Sequence, residues 1–218
     1  MKESKDKFVK SETFTKAELL LIRKLNTPAK VQDFLNKLPF NFEEDAKGEH
    51  RDTIKSPLRV LRTGSAHCME GAILGAYILS THGYPPLIMY HLPTNDDFAH
   101  VVTLFKQDGL WGALSKTNHS VLRYREPVYK SIRELTMSYF HEYFIASGKK
   151  TLRQYSKPLN LNIFKNKNWP TSSVDLWYID EKLDSIKHYD VAPKKVIKNF
   201  RKADKIELEV VKIVEYKK

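Results

Sequence analysis

The stretch GSAHCMEGAILGAYILSTHG, residues 64–83, decides the fold of this chain. It contains the only cysteine, Cys68, followed by small and branched apolar residues without a polar face until the end of the run. Such a pattern predicts a central helix that is buried nearly all round. Residues 64–66 are small enough for a tight turn before the helix, and Gly83 is a typical C-terminal stop.

A cysteine at the start of a helix lies beside unsatisfied backbone N–H groups and the positive end of the helix macrodipole. Both favour the thiolate over the thiol and lower the pKa, as a cysteine nucleophile requires. The backbone N–H of Cys68 would also be available to an oxyanion. The alternative interpretation is a small buried packing residue, since free cysteine is often one.

The chain has 218 residues, of which 41% are hydrophobic, enough for a substantial core. We expect a single domain over residues 1–218, with a core at about 26–125 and a C-terminal elaboration at about 126–218. One cysteine excludes an internal disulfide framework and a cysteine-rich zinc site, and fits a reducing compartment. The N-terminal residues show no secretory or membrane-spanning apolar run, so we predict a cytoplasmic protein without a membrane partner.

The formal net charge of +11 makes nucleic acid a possible partner to consider. Part of the excess lies in KKVIKNFRKADK, residues 194–205, which has six basic residues and one acid. No nucleic-acid-binding motif accompanies this segment, and a solvated helix face explains it equally well. Charge alone therefore identifies no partner.

The elements around residues 64–83 are indicated by local signals. Capping residues predict helices after Thr15, after Thr27-Pro28 and after Ser56-Pro57. The runs PPLIMYHL, AHVVTLFK and LWGALSK, at residues 85–92, 99–106 and 110–116, have the composition of strands. We predict an α+β fold in which the cysteine helix packs on an antiparallel sheet.

Two later segments complete the prediction. REPVYKSIRELTMSYFHEYF, residues 125–144, places aromatic residues at helical spacing and indicates a helix. IELEVVKIVEY, residues 206–216, alternates apolar and polar residues and indicates a strand.

A thiolate nucleophile needs a partner that carries the proton, and His100 is the candidate. It begins the strand-like AHVVTLFK, directly after the turn residues TNDDF. His67 is a competitor, but we expect the side chain of a residue adjacent to Cys68 to point away from it. A metal site built from His67, Cys68 and His100 is a further alternative that lacks additional ligands.

The ordered set of these pieces resembles the transglutaminase-like cysteine-enzyme superfamily, whose core is similar to that of papain-like proteases. SPLRVLRTGSAHC resembles the family's approach to the cysteine, and THGYPPLIMY its helix end and next strand. AHVVTLF resembles the histidine strand and WGALSKT the strand after it, so the resemblance covers roughly residues 56–118. Trp111 of the last piece is expected to pack in the core beneath the site.

The resemblance implies that Cys68 attacks an amide or thioester carbonyl while His100 takes and returns a proton. The family orients its histidine with an aspartate, whose position falls here on Ser115. Either Ser115 orients His100 through a neutral hydrogen bond, or Asn118 does so, as an asparagine does in papain-like enzymes. Glu70, in the first turn of the helix, is expected to satisfy the helix dipole.

Two functions of different classes follow from the sequence. The first is a thiol peptidase, amidase or acyl transferase that acts on a peptide or isopeptide amide of a peptide or protein substrate. The second is a binding module on the same scaffold, impaired in catalysis because Ser115 replaces the aspartate. No motif calls for a cofactor or a metal, and the sequence does not indicate an oligomeric state.

Overall fold

The computed structural model of the chain describes residues 12–44 and 47–217. No helix within these ranges is long and apolar enough to cross a membrane. The α-helices are α1 (Lys16–Lys24), α2 (Pro28–Lys37), α3 (Pro57–Thr63), α4 (Cys68–Ser80), α5 (Ile132–Tyr139), α6 (Trp177–Ser185), α7 (Lys194–Ile197) and α8 (Lys205–Val211). The strands are β1 (Leu87–Leu92), β2 (His100–Gln107), β3 (Leu110–Ser115), β4 (Arg125–Tyr129), β5 (Gln154–Ser156), β6 (Leu159–Asn160) and β7 (His188–Asp190). Short 3₁₀-helices occupy Phe140–Glu142, Leu161–Lys167 and Trp169–Thr171.

The strands form one antiparallel sheet in the order β4-β3-β2-β1-β5-β7, with β6 also paired to β1. β2 pairs with β1 so that His100 lies opposite His91. β3 returns along the other edge of β2, which places Ser115 opposite Val102. The histidine and the serine predicted for the site therefore lie at the same end of neighbouring strands.

Helix α4 lies directly on the sheet because two glycines allow a close approach. A methyl group at Gly75 would lie 2.7 Å from Oγ1 of Thr103, and one at Gly71 would lie 2.4 Å from Cβ of Lys116. The hydroxyl of Thr103 donates a hydrogen bond of 2.7 Å to the carbonyl of Ala72. Because α4 is apolar on all sides, its other faces are covered by α2, α3 and residues of the C-terminal part.

The opposite face of the sheet is covered by α5. Leu135 and Tyr139 of this helix are buried against Val102 and Leu104 of β2. Trp111 packs on this face as well, partly buried. The expectation that Trp111 lies beneath the site is therefore wrong: it lies across the sheet from the cysteine helix.

The predicted α+β class, with a cysteine helix on an antiparallel sheet, is confirmed. The caps at Thr15, Thr27 and Ser56 open α1, α2 and α3, and Gly64 ends α3 in the left-handed conformation at φ 68°. The three predicted strands are β1, β2 and β3. The cysteine helix, the histidine strand and the strand after it follow in the order that the transglutaminase-like resemblance implies.

The helix predicted at residues 125–144 is confirmed only over α5, Ile132–Tyr139, and the strand predicted at residues 206–216 is wrong. Residues 125–144 begin with strand β4, which tolerates Pro127 because it lies at the sheet edge. Residues 206–216 contain helix α8, opened by a capping box between Asp204 and Glu207 that outweighs the alternating pattern. Of the basic residues 194–205, only Lys194–Ile197 form a helix before α8 begins.

Candidate active site

Cys68 is the first residue of α4, and its position is set by the backbone before it. The N–H of Ala66 donates to the carbonyl of Pro39 at 3.1 Å, and the N–H of Asn41 donates to the carbonyl of Ala66 at 3.2 Å. These bonds form a short parallel bridge that holds the approach to the helix. The thiol is thereby fixed at the helix N-terminus, as the sequence predicts.

His100 lies beside Cys68, and its side chain lowers the pKa of the thiol through hydrogen bonding and charge. It is the first residue of β2 and is 5% exposed. The structure therefore brings together the cysteine and the histidine that the sequence proposes as a pair.

Ser115 binds the far side of the His100 ring. Its Oγ lies 2.7 Å from Nε2 of His100, and its hydroxyl hydrogen is donated to the carbonyl of Leu122. Since a hydroxyl has one hydrogen to donate, its oxygen must accept from Nε2–H of His100. This assigns the Nε2 proton and leaves Nδ1 for the sulfur of Cys68.

Ser115 is itself held on both sides. The side chain of Gln32 in α2 accepts from the backbone N–H of Ser115 at 2.9 Å and donates to its carbonyl at 2.8 Å. Leu122 has a left-handed backbone at φ 59°, and its N–H donates to Glu142 at 2.6 Å. Glu142 also pairs with Arg125. The carboxylate of Glu142 is therefore connected to the His100 ring through Leu122 and Ser115.

Asn118, the other candidate for orienting His100, has different partners. Its amide oxygen accepts from the backbone N–H of Tyr216 at 2.8 Å, and its amide nitrogen donates to the carbonyl of Tyr216 at 2.9 Å. Lys116 lies 5.4 Å from the centre of the Tyr216 ring. Asn118 therefore fastens the C-terminal residues to the end of β3, and the structure does not bring it to His100.

His67 is the residue that the sequence argument set aside wrongly. It forms a hydrogen bond with the side chain of Cys68, while its Nε2 lies 2.8 Å from the carbonyl of Thr53. As the N-cap of α4, His67 has an extended backbone at φ −92° and ψ −173°, whereas Cys68 is already helical. The change of conformation between the two residues turns both side chains to the same side.

Glu70 lies beneath His67 and is fully buried. It does more than satisfy the helix dipole, because its carboxylate accepts from a set of donors at 2.8–3.1 Å and pairs with Lys55 at 3.6 Å. The donors are the Thr53 hydroxyl, the Lys55 and His67 backbone N–H groups, and the Asn41 amide. One carboxylate oxygen of Glu70 also lies 3.6 Å from Nε2 of His67.

The electrostatics of Cys68 follow from these neighbours. Burial raises the pKa of Cys68, but the hydrogen bonds and charges of His100 and His67 outweigh burial and lower the pKa to about 5. Burial lowers the pKa of His67, but the hydrogen bond with Cys68 and the charge of Glu70 raise it to about 9. Both shifts act in the same direction: they favour a thiolate at Cys68 and a positive charge on His67.

The thiolate faces a cavity of about 160 Å³. One wall is formed by Glu43, Asp52, Thr53 and Ile54, which precede α3, and another by Tyr90 of β1 and Val101 of β2. The third wall comes from the C-terminal part of the chain, where Trp177 and Asp180 of α6 line the cavity. The sequence analysis missed this wall, since nothing local to Cys68 indicates it.

Metal binding has no support in the described ranges: they contain no group of three or more histidine, cysteine, aspartate or glutamate residues that could hold an ion. His67 and His100 instead use their ring nitrogens for Thr53, Ser115 and the thiol.

No family model and no curated protein matches this chain. Among solved structures, LapG from Legionella pneumophila is similar at 25% identity over 44% of this chain and 59% of that one, with a TM-score of 0.35. The EGTA-treated form of LapG is 20% identical over 65% of this chain and 69% of that one, with a TM-score of 0.39. The calcium-bound form is 22% identical over 65% and 71%, with a TM-score of 0.37.

These likenesses are partial. The match to the first LapG structure spans less than two thirds of that protein's own length. Neither the fold described above nor the function proposed below rests on them.

Proposed function

We propose that this protein is a thiol peptidase or acyl transferase that acts on a peptide or isopeptide amide, with Cys68 as nucleophile and His100 as acid and base. The observation that carries the proposal is a cysteine at the N-terminus of a buried helix, beside a histidine that lowers the pKa of its thiol and whose Nε2 is bonded to Ser115. A packing cysteine needs neither a lowered pKa nor an imidazole with an assigned proton.

In the first step, the Cys68 thiolate attacks the carbonyl carbon of the substrate and forms a C–S bond, while the carbonyl π electrons move to the oxygen. The N–H of Cys68 is the first of the helix and has no intrahelical acceptor, so it is available to this oxyanion. The intermediate collapses with cleavage of the C–N bond. The leaving nitrogen takes from Nδ1 of His100 the proton that Nδ1 received from the Cys68 thiol, and a thioester on Cys68 remains.

In the second step, water or an amine attacks the thioester. Nδ1 of His100 takes the proton of the attacking group, and the C–S bond breaks to return the thiolate. Throughout both steps, Ser115 accepts from Nε2–H and keeps the ring oriented without adding a charge. With water as the attacking group the product is an acid, and with an amine it is a new amide.

The walls of the cavity supply the other requirement of such an enzyme, a cleft beside the nucleophile that receives a peptide side chain. We also propose a cytoplasmic location, because a low-pKa thiolate oxidises readily and a reducing compartment preserves it.

The test is the pH dependence of Cys68 alkylation by iodoacetamide, with Cys68 the only thiol in the chain. Because the pKa is lowered to about 5, the wild type should react at its plateau rate at pH 7 and lose reactivity as the pH falls through about 5. In His100→Ala the midpoint should move toward the free-thiol value of about 8.5. His141→Ala, which removes an exposed histidine outside the site, should leave the profile unchanged.

A wild-type midpoint near that of a free thiol would contradict the proposal. It would favour the non-catalytic binding module, in which Cys68 is a packing residue.

A further inference from the structure

The first turn of α6 presents an aromatic ring and a carboxylate to the cavity in front of Cys68. Trp177 and Asp180 are three residues apart and therefore lie on the same side of the helix. Leu176, Ile179 and Leu183 of the same segment are fully buried in the core that also contains residues of α4, and they anchor the helix. The ring and the carboxylate are thus held on a fixed wall.

Asp180 is half-buried, and its negative charge is not offset by a cationic side chain of the described residues within hydrogen-bond distance. Burial, the charge of Asp184 and the charge of the Cys68 thiolate all raise the pKa of Asp180. Of the groups named around it, only His67 acts in the opposite direction. A positively charged group placed beside this carboxylate would therefore stabilise its ionised form.

Trp177 supplies a second attraction for a cation. Its side chain is 43% exposed although it lies at the rim of a cavity. An indole face binds ammonium and guanidinium groups through its quadrupole, most strongly where water is partly excluded.

The charge of the cavity contrasts with that of the chain. The net charge of the protein is +11, yet the lining includes no lysine or arginine among the described residues and does include Glu43, Asp52 and Asp180. Glu43 is bonded to the N–H of Thr53, and Asp52 is paired with His50. Of these three acids that line the cavity, Asp180 is therefore the one available to a ligand.

The size of the cavity limits what can enter. A volume of 160 Å³ corresponds to about five water molecules at ~30 Å³ each, which is room for one extended side chain. A lysine or arginine side chain fits this shape, because its methylene groups contact the indole while its charged end reaches the carboxylate.

We propose that Trp177 and Asp180 form a subsite for a lysine or arginine side chain of the substrate peptide, beside the bond that Cys68 attacks. The subsite rests on the proposed function and assigns it a substrate class, peptides with a basic residue next to the scissile amide. The acid of α6 selects the charge, and the indole holds the aliphatic part of the side chain.

The experiment uses Cys68 as its own reporter. Three methanethiosulfonates, with neutral methyl, cationic aminoethyl and anionic sulfonatoethyl groups, each transfer an alkylthio group to the thiolate. A disulfide with Cys68 forms as the S–SO2 bond breaks and methanesulfinate leaves. Rates are measured for the full chain at one pH and divided by the rate of the neutral reagent. The neutral rate tests the thiolate, whereas the cationic-to-anionic ratio tests the subsite.

In the wild type, the aminoethyl reagent should react faster than the sulfonatoethyl reagent, relative to the same pair with free cysteine. Asp180→Asn should lower this ratio about 25-fold, because the carboxylate attracts the cation and repels the anion by about fivefold each in a water-filled cleft. Glu181→Gln is the matched control: it removes the same charge from the next, exposed residue and should leave the ratio nearly unchanged.

A second measurement addresses the side chain itself. Peptidyl chloromethyl ketones that end in lysine or in norleucine differ in the charged group, and the lysine reagent should inactivate the wild type faster. Asp180→Asn should reduce this preference about fivefold.

The outcomes are distinguishable. A slow neutral reagent means that the thiolate is absent and contradicts the proposed function. An active thiolate whose ratio is the same in wild type and Asp180→Asn, or one that prefers norleucine, overturns the subsite and leaves the proposed function standing.

Discussion

The two imidazoles that flank Cys68 are built in different ways. His100 belongs to the sheet, and its Nε2–H donates to a neutral acceptor, the hydroxyl of Ser115. This hydroxyl donates in turn to the carbonyl of Leu122. His67 comes from the helix cap and is held by the Thr53 carbonyl and the buried carboxylate of Glu70. The carboxylate that is missing on the sheet side is present on the helix side.

The difference separates two tasks that one histidine–aspartate pair performs in the family pattern. His67 has its pKa raised to about 9 and supplies a standing positive charge beside the thiolate. His100 is oriented by a hydroxyl that adds no charge, and it is placed to move a proton. Substitutions on either side should therefore raise the pKa of Cys68, whereas only those on the His100 side should slow proton transfer.

The largest effect is expected from His100→Ala on deacylation. Hydrolysis of the acetyl thioester formed from p-nitrophenyl acetate should slow by about 10²–10⁴-fold, because the attacking water loses its base. Intact-mass measurement over time follows the acetylated chain. In His67→Gln the acetyl group should leave at close to the wild-type rate, and an equal slowing in both variants would contradict the division of tasks.

His67→Gln should have the next largest effect, on the thiolate. The pKa of Cys68 is lowered to about 5, so the thiol is ionised above that pH and becomes protonated as the pH falls through it. Without the positive charge of His67, the midpoint of iodoacetamide alkylation should rise by about one pH unit. An unchanged midpoint would mean that His100 alone stabilises the thiolate.

Ser115→Ala should have a smaller effect on deacylation. The substitution leaves the Nε2–H of His100 buried without an acceptor and frees the ring to turn. We expect deacylation to slow about tenfold, which corresponds to ~1.4 kcal/mol. Ser115→Thr keeps the hydroxyl and is the matched control. Full activity of Ser115→Ala would show that the ring is positioned by packing alone.

How far the sequence predicted this site depends on the distance over which each signal acts. Helix caps such as Thr27 and Ser56 act locally, so the sequence predicts them directly. It also predicts that Cys68 lies at the start of a helix. The bond between Ser115 and His100 was predicted as one of two alternatives, and the structure selects it because Asn118 is bonded to Tyr216. Adjacency in sequence predicts that the side chain of His67 points away from Cys68. The backbone changes from extended to helical between these two residues, so this expectation fails.

The parts that the sequence did not indicate are distant along the chain. Glu142 lies 20 residues after Leu122, to whose N–H it is bonded, and no pattern connects the two. Trp177 and Asp180 reach the cleft because buried residues of α6 pack on the core shared with α4. The alternation of residues 206–216 suggested a strand, but the capping box at Asp204 determined a helix.

The smallest effect is expected from Glu142. In Glu142→Ala, Leu122 loses the acceptor of its N–H, and the carbonyl that receives the Ser115 hydroxyl becomes less well fixed. Deacylation should slow about threefold, or ~0.6 kcal/mol. Glu142→Gln retains an acceptor for Leu122 and should slow it less. If both variants behave as wild type, the carboxylate supports only the fold.

The cap of α4 links the chemistry of the sulfur to the start of the helix. Nδ1 of His67 lies 3.3 Å from the backbone N–H of Met69, and it is also the nitrogen left for Cys68 once Nε2 has bonded Thr53. A proton on that nitrogen, facing the thiolate, would compete with the bond that Nδ1 accepts from the Met69 N–H. When the sulfur is acylated, the ring loses this proton to solvent and Nδ1 accepts fully from Met69. The amide of Met69 should therefore exchange with deuterium more slowly in the acyl-enzyme, making the helix start a gauge of catalytic state.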